Sequence, residues 1–297
     1  MHKKKFLVIG GAGYIGSHMV LALEDLGHQV TIFDNFSRGH FRGTDNTNIF
    51  EGCLLNLQDI DLCLKSQSFD MVMHFAAFAY VGESVEKPID YFENNISGTI
   101  NLLKAMKHNS LNKLVFSSTC AVYGEPAYTP IDEIHPKNPV NPYGKTKLED
   151  EHLVEKYSKL NTEIIGLRYF NIFGKGQTLD YAGVITKFLD RINEGKAPIV
   201  FGKGSQIRDF IFVGDIVMAN LLAMTSKISN LLVNIGTGKA ITIVELANMM
   251  LNISKLDLKP IFKDSLDGDI QESHADNTLA VESFNWKPKN KNSKWRG

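Results

Sequence analysis

Tyr143 and Lys147 stand four residues apart in Asn141-Pro142-Tyr143-Gly144-Lys145-Thr146-Lys147, a spacing that puts both side chains on one face of a helix. An ammonium held beside a phenol favours the phenolate and lowers its pKa, which makes tyrosine a usable base near neutrality. The pair alone is weak evidence, because tyrosine and lysine fall at this spacing by chance in many helices. Two further segments give it meaning: Ser117-Ser118-Thr119 just upstream, and Val8-Ile9-Gly10-Gly11-Ala12-Gly13-Tyr14-Ile15-Gly16 near the N-terminus. Together they predict a nicotinamide-dependent enzyme with a Ser/Thr–Tyr–Lys catalytic group.

Gly10, Gly13 and Gly16 form G-x-x-G-x-x-G between a predicted strand and a predicted helix. Such glycines serve a tight turn, a close backbone approach to pyrophosphate and close helix–strand packing. The helix start then offers amides and partial positive charge to phosphates. Asp34 follows Gly16 by 18 residues, where a carboxylate suits the two ribose hydroxyls of NAD and repels the 2′-phosphate of NADP. Asn35 reinforces that reading, while the nearby Arg38 blurs it. His74 reads as a core histidine rather than a catalyst. Asn95 is poorly suited to the apolar face of a helix and is a candidate cofactor contact, with a surface asparagine as the alternative.

These groups need rigid elements, and the apolar periodicity supplies them. Strands are expected at Lys5–Ile9, Gln29–Phe33, Phe69–Phe75, Lys113–Ser117 and Glu163–Leu167. Helices are expected at Tyr14–Leu26, Ile89–Lys107 and Tyr143–Leu160. Such alternation predicts an α/β fold, a Rossmann-type doubly wound parallel sheet with helices on both faces. After Arg168 the pattern loosens, with one clear helix at Ile185–Glu194. Ile211–Val213, Asp215–Met224 and Leu231–Ile235 look like a return to the sheet, and Thr242-Ile243-Val244-Glu245 is a capping box. The expected division is residues 1–170 plus about 211–236 for the cofactor domain. About 171–210 plus 237–297 would form a smaller, discontinuous C-terminal substrate lobe.

The bulk numbers exclude several classes. A chain of 297 residues with 43% hydrophobic and 22% charged content has the composition of a globular protein with ample core. A formal net charge of −1 gives no electrostatic case for nucleic acid or an acidic membrane surface. The three cysteines, Cys53, Cys63 and Cys120, form no CxxC, and the nine histidines form no HExxH-like pair. No metal site is expected, and a reducing cytoplasm fits. Met1-His2-Lys3-Lys4-Lys5 before Phe6-Leu7-Val8-Ile9 mimics a signal peptide, but the apolar run breaks at Gly10-Gly11 and reads better as a strand.

The ordered motifs identify a family. From Phe6 to about Trp286 the chain resembles extended short-chain dehydrogenase/reductases, in particular UDP-glucose 4-epimerase-type nucleotide-sugar enzymes. The markers are Gly10 to Gly16, Asp34-Asn35, His74-Phe75-Ala76-Ala77, Val81-Gly82-Glu83-Ser84, Asn94-Asn95-x-x-Gly98-Thr99, Phe116-Ser117-Ser118-Thr119-x-x-Val122-Tyr123-Gly124 and the Tyr143–Lys147 segment. Arg168-Tyr169-Phe170-Asn171 and Arg208-Asp209-Phe210 follow. The resemblance implies that Tyr143 takes the proton from the sugar 4-hydroxyl while hydride passes to NAD. It further implies that Lys147 stabilises the phenolate and holds the nicotinamide ribose, and that Thr119 bonds the sugar oxygen. Cofactor contacts would come from Gly10, Gly13, Tyr14, Ile15, Gly16, Asp34, Asn35, Phe75, Ala76, Asn95, Ser117, Tyr143, Lys147 and Tyr169. Substrate contacts would come from Ser84, Thr119, Tyr143, Asn171, Arg208, Asp269 and Ser273. A homodimer through the two long helices is the family arrangement.

Thr119-Cys120-Ala121 stands where nucleotide-sugar 4,6-dehydratases carry Thr-Asp-Glu, so the acid and base needed to eliminate water are missing. Ser273 precedes His274-Ala275-Asp276 at a position where, in the family, a bulky residue excludes N-acetyl sugars; serine predicts that they are admitted. Four departures from the family pattern bear on efficiency: Cys53 in place of an adenine-binding aspartate, apolar Phe78 and Ala79 where a lysine is usual, Leu266 in place of a diphosphate-binding arginine, and no closing amphipathic helix after Trp286. The expected activity is NAD-dependent epimerisation of a UDP-sugar at C4. Another reaction on the same scaffold, a 4-reduction or decarboxylation, and a non-catalytic nucleotide-binding role are the alternatives.

Overall fold

The computed structural model describes residues 3–179, 183–265 and 269–289. The first half alternates strand and helix: β1 (Lys5–Ile9), α1 (Tyr14–Asp25), β2 (Gln29–Asp34), β3 (Asn48–Glu51), α2 (Leu57–Ser66) and β4 (Met71–His74), of which β3 and α2 are not among the elements expected from periodicity. β1 and β4 are nearly all buried apolar residues, as a strand covered on both faces must be. β3 shows no apolar run of its own, its four largely exposed residues lying on the sheet edge just before Gly52.

The helical stretch expected at Ile89–Lys107 is present but interrupted. After α3 (Val81–Glu86) come α4 (Pro88–Tyr91), a widened π-helical stretch at Phe92–Ser97, and α5 (Gly98–His108). Pro88 opens α4 at a first-turn position, where its missing N–H costs nothing. β5 (Lys113–Thr119), α6 (Pro142–Ser158) and β6 (Glu163–Tyr169) complete the run. Asn141 caps α6 by accepting a hydrogen bond from the Gly144 amide at 2.8 Å.

The remainder comprises β7 (Asn171–Phe173), α7 (Val184–Asn193), β8 (Ile199–Phe201), β9 (Ile207–Arg208), β10 (Phe210–Phe212), α8 (Val213–Thr225) and β11 (Leu231–Ile235). β12 (Ile241–Thr242), α9 (Ile243–Ile253), β13 (Ile261–Lys263), β14 (Glu272–Ser273) and α10 (Thr278–Phe284) follow. The Thr242–Glu245 capping box forms as its sequence predicts.

Seven strands form one parallel sheet in the order β11-β6-β5-β4-β1-β2-β3. The strand order reverses between β1 and β4, so their carboxyl ends open a crevice of the kind that binds ligands in such sheets. One face is covered by α1, α8 and α10 through Met19, Leu23, Ile216 and Phe284. The other is covered by α2, α5 and α6 through Ile60, Leu102, Met106 and Val154. A third cluster, with Ile185, Phe188, Val200, Phe210, Leu246 and Met250, forms the small lobe.

Two boundaries differ from expectation. Ile211 lies in β10, which pairs with β7 in a separate two-stranded sheet; the return to the main sheet is made by α8 and β11. Residues beyond about 237 are expected to lie wholly in the lobe, yet Ala280, Phe284 and Trp286 join the core of the main sheet. Trp286 is completely buried and donates its indole N–H to the Asp215 carbonyl at 3.1 Å. The segment after β14 thus returns to seal the cofactor domain, which periodicity cannot show in a seven-residue helix. The Leu266 departure and the chain after Lys289 lie outside the described residues.

Candidate active site

The cofactor end is a groove lined by Gly10, Gly13, Asp34, Asn35, Arg38, Phe75, Ala76 and Phe78, among others. Gly10 adopts φ +77°, and a Cβ there would lie 2.5 Å from the Ala76 amide nitrogen. A Cβ on Gly16 would lie 2.1 Å from the Gly10 carbonyl oxygen, so β1 and α1 can meet this closely only through glycine. Gly13 is different: its Cβ would meet only the Gly10 oxygen, at 3.3 Å, so the space it would enter is otherwise open to an approaching ligand. Asp34 ties this loop down, accepting from the Ala12 amide at 3.0 Å and the Phe36 amide at 2.8 Å. The glycine cradle, the helix start and the strand-end carboxylate fit a dinucleotide.

Arg38 resolves an ambiguity left by the sequence. Its guanidinium bonds Glu83 at 2.7 Å and lies 3.7 Å from the centre of the Phe78 ring. Phe78 therefore brings a cation to its position through stacking, although its own side chain is apolar. Cys53 meets Asn35 through a long 3.9 Å contact, and its amide is held by Asp59.

The catalytic candidates lie where β5 ends and α6 begins. The Thr119 hydroxyl accepts from the Ala121 amide at 3.2 Å and lies within hydrogen-bonding reach of the Tyr143 phenol. Lys147 is buried on the same helix, with its ammonium 4.2 Å from the centre of the Phe116 ring and 3.2 Å from Asp150 Oδ2. The expected lowering of the Tyr143 pKa does not dominate. Burial pushes the phenol well above its usual range; Thr119 opposes this, while Cys120, Tyr91 and Asp150 add to it. Asp150 contributes least to the rise, and it is a buried carboxylate engaged with the lysine that no motif marks.

A second cavity, of about 530 Å³, lies in the small lobe and is lined by Asn171, Phe188, Gln206, Arg208, Phe210 and Asp269, among others. Arg208 donates to Asp269 Oδ1 at 2.6 Å, and Asp269 Oδ2 accepts from Gln206 at 2.9 Å. Asn171 donates to the Asp209 carbonyl at 3.0 Å. Asp209, fully buried, accepts from the amides of Thr237 and Gly238 at 2.9 Å each and so anchors the strand that carries Arg208. Ser273 pairs in register with Arg208 and lies within hydrogen-bonding reach of Cys120, the residue after Thr119.

Several expected contacts are placed elsewhere. Asn95 points inward from the π-helical stretch. It accepts from the Phe78 amide at 2.8 Å and donates to the Phe78 carbonyl at 3.0 Å and to Thr146 Oγ1 at 2.9 Å. It thus fastens the loop after β4 to the catalytic helix rather than facing the groove. Tyr169 is buried in the sheet core with its hydroxyl on Asn220 at 3.0 Å. Ser84 is fully buried and bonds the Val81 carbonyl at 2.6 Å. Ser117 ends near the same strand edge as Thr119, while Tyr14 and Ile15 open α1. His74 is buried as expected, with Nε2 3.2 Å from Thr99 Oγ1, but its Nδ1 has no hydrogen-bond partner. Sequence reasoning missed Gln206, Lys187 and Phe188 as lining residues, since none carries a pattern of its own.

A doubly wound parallel sheet with a glycine-rich turn at its switch point and a Thr–Tyr–Lys group beside it defines a nucleotide-dependent enzyme of the extended short-chain dehydrogenase/reductase type. The NAD-dependent epimerase/dehydratase family pattern matches residues 6–236, and the chain belongs to that family. It is 35% identical over 309 residues to the UDP-glucose 4-epimerase of Lactobacillus helveticus, covering 97% of this chain and 93% of that protein. A UDP-glucose 4-epimerase from Thermotoga maritima, solved with UDP-glucose, superposes with a TM-score of 0.93 at 34% identity over 97% of this chain and 94% of that one. A UDP-N-acetylglucosamine 4-epimerase from Methanobrevibacter ruminantium, in complex with UDP-N-acetylmuramic acid, superposes with a TM-score of 0.91 at 36% identity, with the same coverage of both chains.

Proposed function

We infer that this protein is an isomerase, an NAD-dependent UDP-sugar 4-epimerase that works through a transient 4-keto sugar. The observation that carries this reading is the Thr119 hydroxyl beside the Tyr143 phenol, with Lys147 on the same helix face. When bound, NAD supplies a hydride acceptor that can return the hydride to the other face of the sugar. The residues of the chain do the rest. Tyr143 takes the 4-hydroxyl proton and later gives it back, with no net redox change. Thr119 holds the same oxygen and shares its hydrogen bond with the phenol. Lys147 supplies positive charge behind the base. Arg208 and Asn171 face the cavity and hold the diphosphate, arginine through paired N–H groups. Asp34 holds the adenine ribose, and the amides after Gly13 hold the cofactor phosphates.

The small side chain of Ser273 beside Cys120 supports admission of N-acetylated sugars together with the unsubstituted ones. Purified protein incubated with NAD and either UDP-glucose or UDP-N-acetylglucosamine, without reductant, tests both points by NMR of the sugar 4-configuration. The galacto-epimer appears without net reduced cofactor; failure of both substrates overturns the reading. Tyr143→Phe lowers turnover by about 10²–10⁴-fold if the phenol is the base.

We propose a homodimer paired through the helical run from α3 to α5 and through α6, supported by exposed Val85, Ile89 and Phe92 on that side. Sedimentation at micromolar concentration tests it, and a monomer refutes it. Among the described residues no helix is long and apolar enough to cross a membrane. Three unpaired cysteines support a reducing, cytoplasmic setting.

A further inference from the structure

Behind the catalytic group lies a buried carboxylate that the proposed reaction does not itself require. Asp150 and Lys147 are 1% and 2% exposed, and Oδ2 accepts from the ammonium at 3.2 Å. Asp150 Oδ1 is buried without a hydrogen-bond partner among the described residues. The Thr99 hydroxyl approaches the carboxylate and is 3.2 Å from His74 Nε2. A carboxylate inside a protein normally has both oxygens satisfied or it takes up a proton. Asp150 has one partner of full charge, and that partner is the lysine on which the base depends.

We propose that Asp150 is a positioning residue that sets the charge of the lysine site: ionised, it holds and neutralises Lys147 and restrains the Tyr143 base, and protonated, it releases the lysine's field. This rests on the reading of Tyr143 as the base and Lys147 as its electrostatic partner. An ion pair 3.2 Å apart acts at a distance as a dipole rather than a charge, so a third group feels far less of the ammonium. The charge on Asp150 also opposes a phenolate at Tyr143 directly.

The surrounding groups support a carboxyl that titrates in the working range. Burial pushes Asp150 up to about 6, against the pull of Lys147 and Thr99, with Glu151 on the same helix adding to the rise. Glu151 is itself occupied by Arg168 and Ser118. His74 faces the cluster from β4 and is neutral: burial, and next the Lys147 charge, lower it to about 3. Phe116 contributes a ring face from β5. Around Tyr143 itself stand Thr119, Cys120 and Tyr91. The Asp150 proton therefore changes near neutrality.

The test is the pH profile of kcat with UDP-glucose for the NAD-loaded enzyme, comparing wild type with Asp150→Asn, which keeps the shape and removes the charge. The acid limb, where the base loses its proton, moves to lower pH by about 0.5–1 unit in Asp150→Asn. Asp150→Glu restores the wild-type limb. Should the asparagine variant fold poorly by circular dichroism, Thr99→Val in the same assay raises the pKa of Asp150 by removing a hydroxyl that favours its charged form. The wild-type inflection near pH 6 then moves upward. An acid limb unchanged in Asp150→Asn, or moved upward, or an inflection unmoved in Thr99→Val, overturns the proposal. Tyr143→Phe separates the two readings: if it retains full turnover the catalytic assignment fails, whereas an inactive Tyr143→Phe with an unmoved limb in Asp150→Asn defeats this inference alone.

Discussion

Arg168 on β6 grips Glu151 on α6 through two hydrogen bonds, Nε to Oε1 at 2.8 Å and Nη2 to Oε2 at 2.9 Å, with both side chains 2% exposed. The same Oε1 accepts from Ser118 at 2.6 Å, and Arg168 Nη1 donates to the Tyr123 hydroxyl at 2.8 Å. Tyr123 in turn donates to Asn234 on β11 at 2.7 Å. The helix that carries Tyr143 and Lys147 is thereby locked to three neighbouring strands by one satisfied polar network. Orientation of the reacting groups is the main thing such a lock provides.

Removing one member leaves a charge stranded in the core. Arg168→Met is expected to destabilise the fold by about 3–5 kcal/mol, because Glu151 loses its counter-ion without regaining water. Arg168→Met combined with Glu151→Leu should recover much of that loss, since two well-packed apolar side chains need no partner. Urea denaturation of the three proteins decides it; a double variant as unstable as the single one would mean that the network stabilises by more than charge compensation.

The glycine turn makes a second, sharper distinction. Gly16→Ala puts a methyl 2.1 Å from the Gly10 oxygen, a contact that backbone on both sides cannot relieve without moving the turn. Gly13→Ala makes one contact at 3.3 Å. The first variant should lose thermal stability as the apo-protein, while the second should fold normally and lose NAD affinity, because its methyl occupies the ligand's side of the turn. Calorimetric titration with NAD and apo melting curves test the pair. Equal apo stability of the two variants would refute the division of labour.

The cofactor domain was legible in the sequence because its strands are covered on both faces, so they read as short apolar runs between patterned helices. The same logic hid β3, whose edge position leaves it exposed, and α10, whose seven residues are too few to show a period. Thr119, Tyr143, Lys147 and Asn171 could be selected by motif. What motif could not give is which way a side chain turns. Asn95 and Tyr169 stand at their expected chain positions, yet Phe78 and Thr146 take up the first and Asn220 the second. The Asp150 carboxylate was invisible for a related reason: an aspartate three residues after a lysine reads as an exposed helix pair until the burial of both is known.

Ser273 offers a test of substrate range. It is buried beside Cys120 and in register with Arg208, so a larger side chain there projects toward the space that adjoins Thr119. Ser273→Tyr should lower kcat/KM for UDP-N-acetylglucosamine by about 10–200-fold, the range that a steric change in a pocket can supply. Turnover of UDP-glucose should fall much less. Parallel steady-state assays on the two sugars check this, and an equal loss on both would assign Ser273 a structural role.

His74 gives the fold a pH dependence of definite sign. Its imidazole is held at about 3 by burial and by the Lys147 charge, far below the ordinary histidine range. The folded protein therefore keeps His74 neutral where the unfolded chain protonates it, so the unfolded state binds more protons between about pH 6.5 and 3. Stability from this group is complete above about pH 6.5 and is lost as the pH falls through that window. Asp150 works in the opposite sense: its folded pKa is raised to about 6, so the folded state binds the extra proton and gains stability on acidification from there toward the ordinary aspartate range. His74→Gln keeps a side chain able to bond Thr99 and removes only the first effect. Between pH 7 and about pH 4.5 wild type should lose about 2–3 kcal/mol more stability than the variant, measured by urea denaturation at each pH. Parallel curves for the two proteins would mean that the buried imidazole accepts a proton as readily as an exposed one, and that the lysine's field does not reach it.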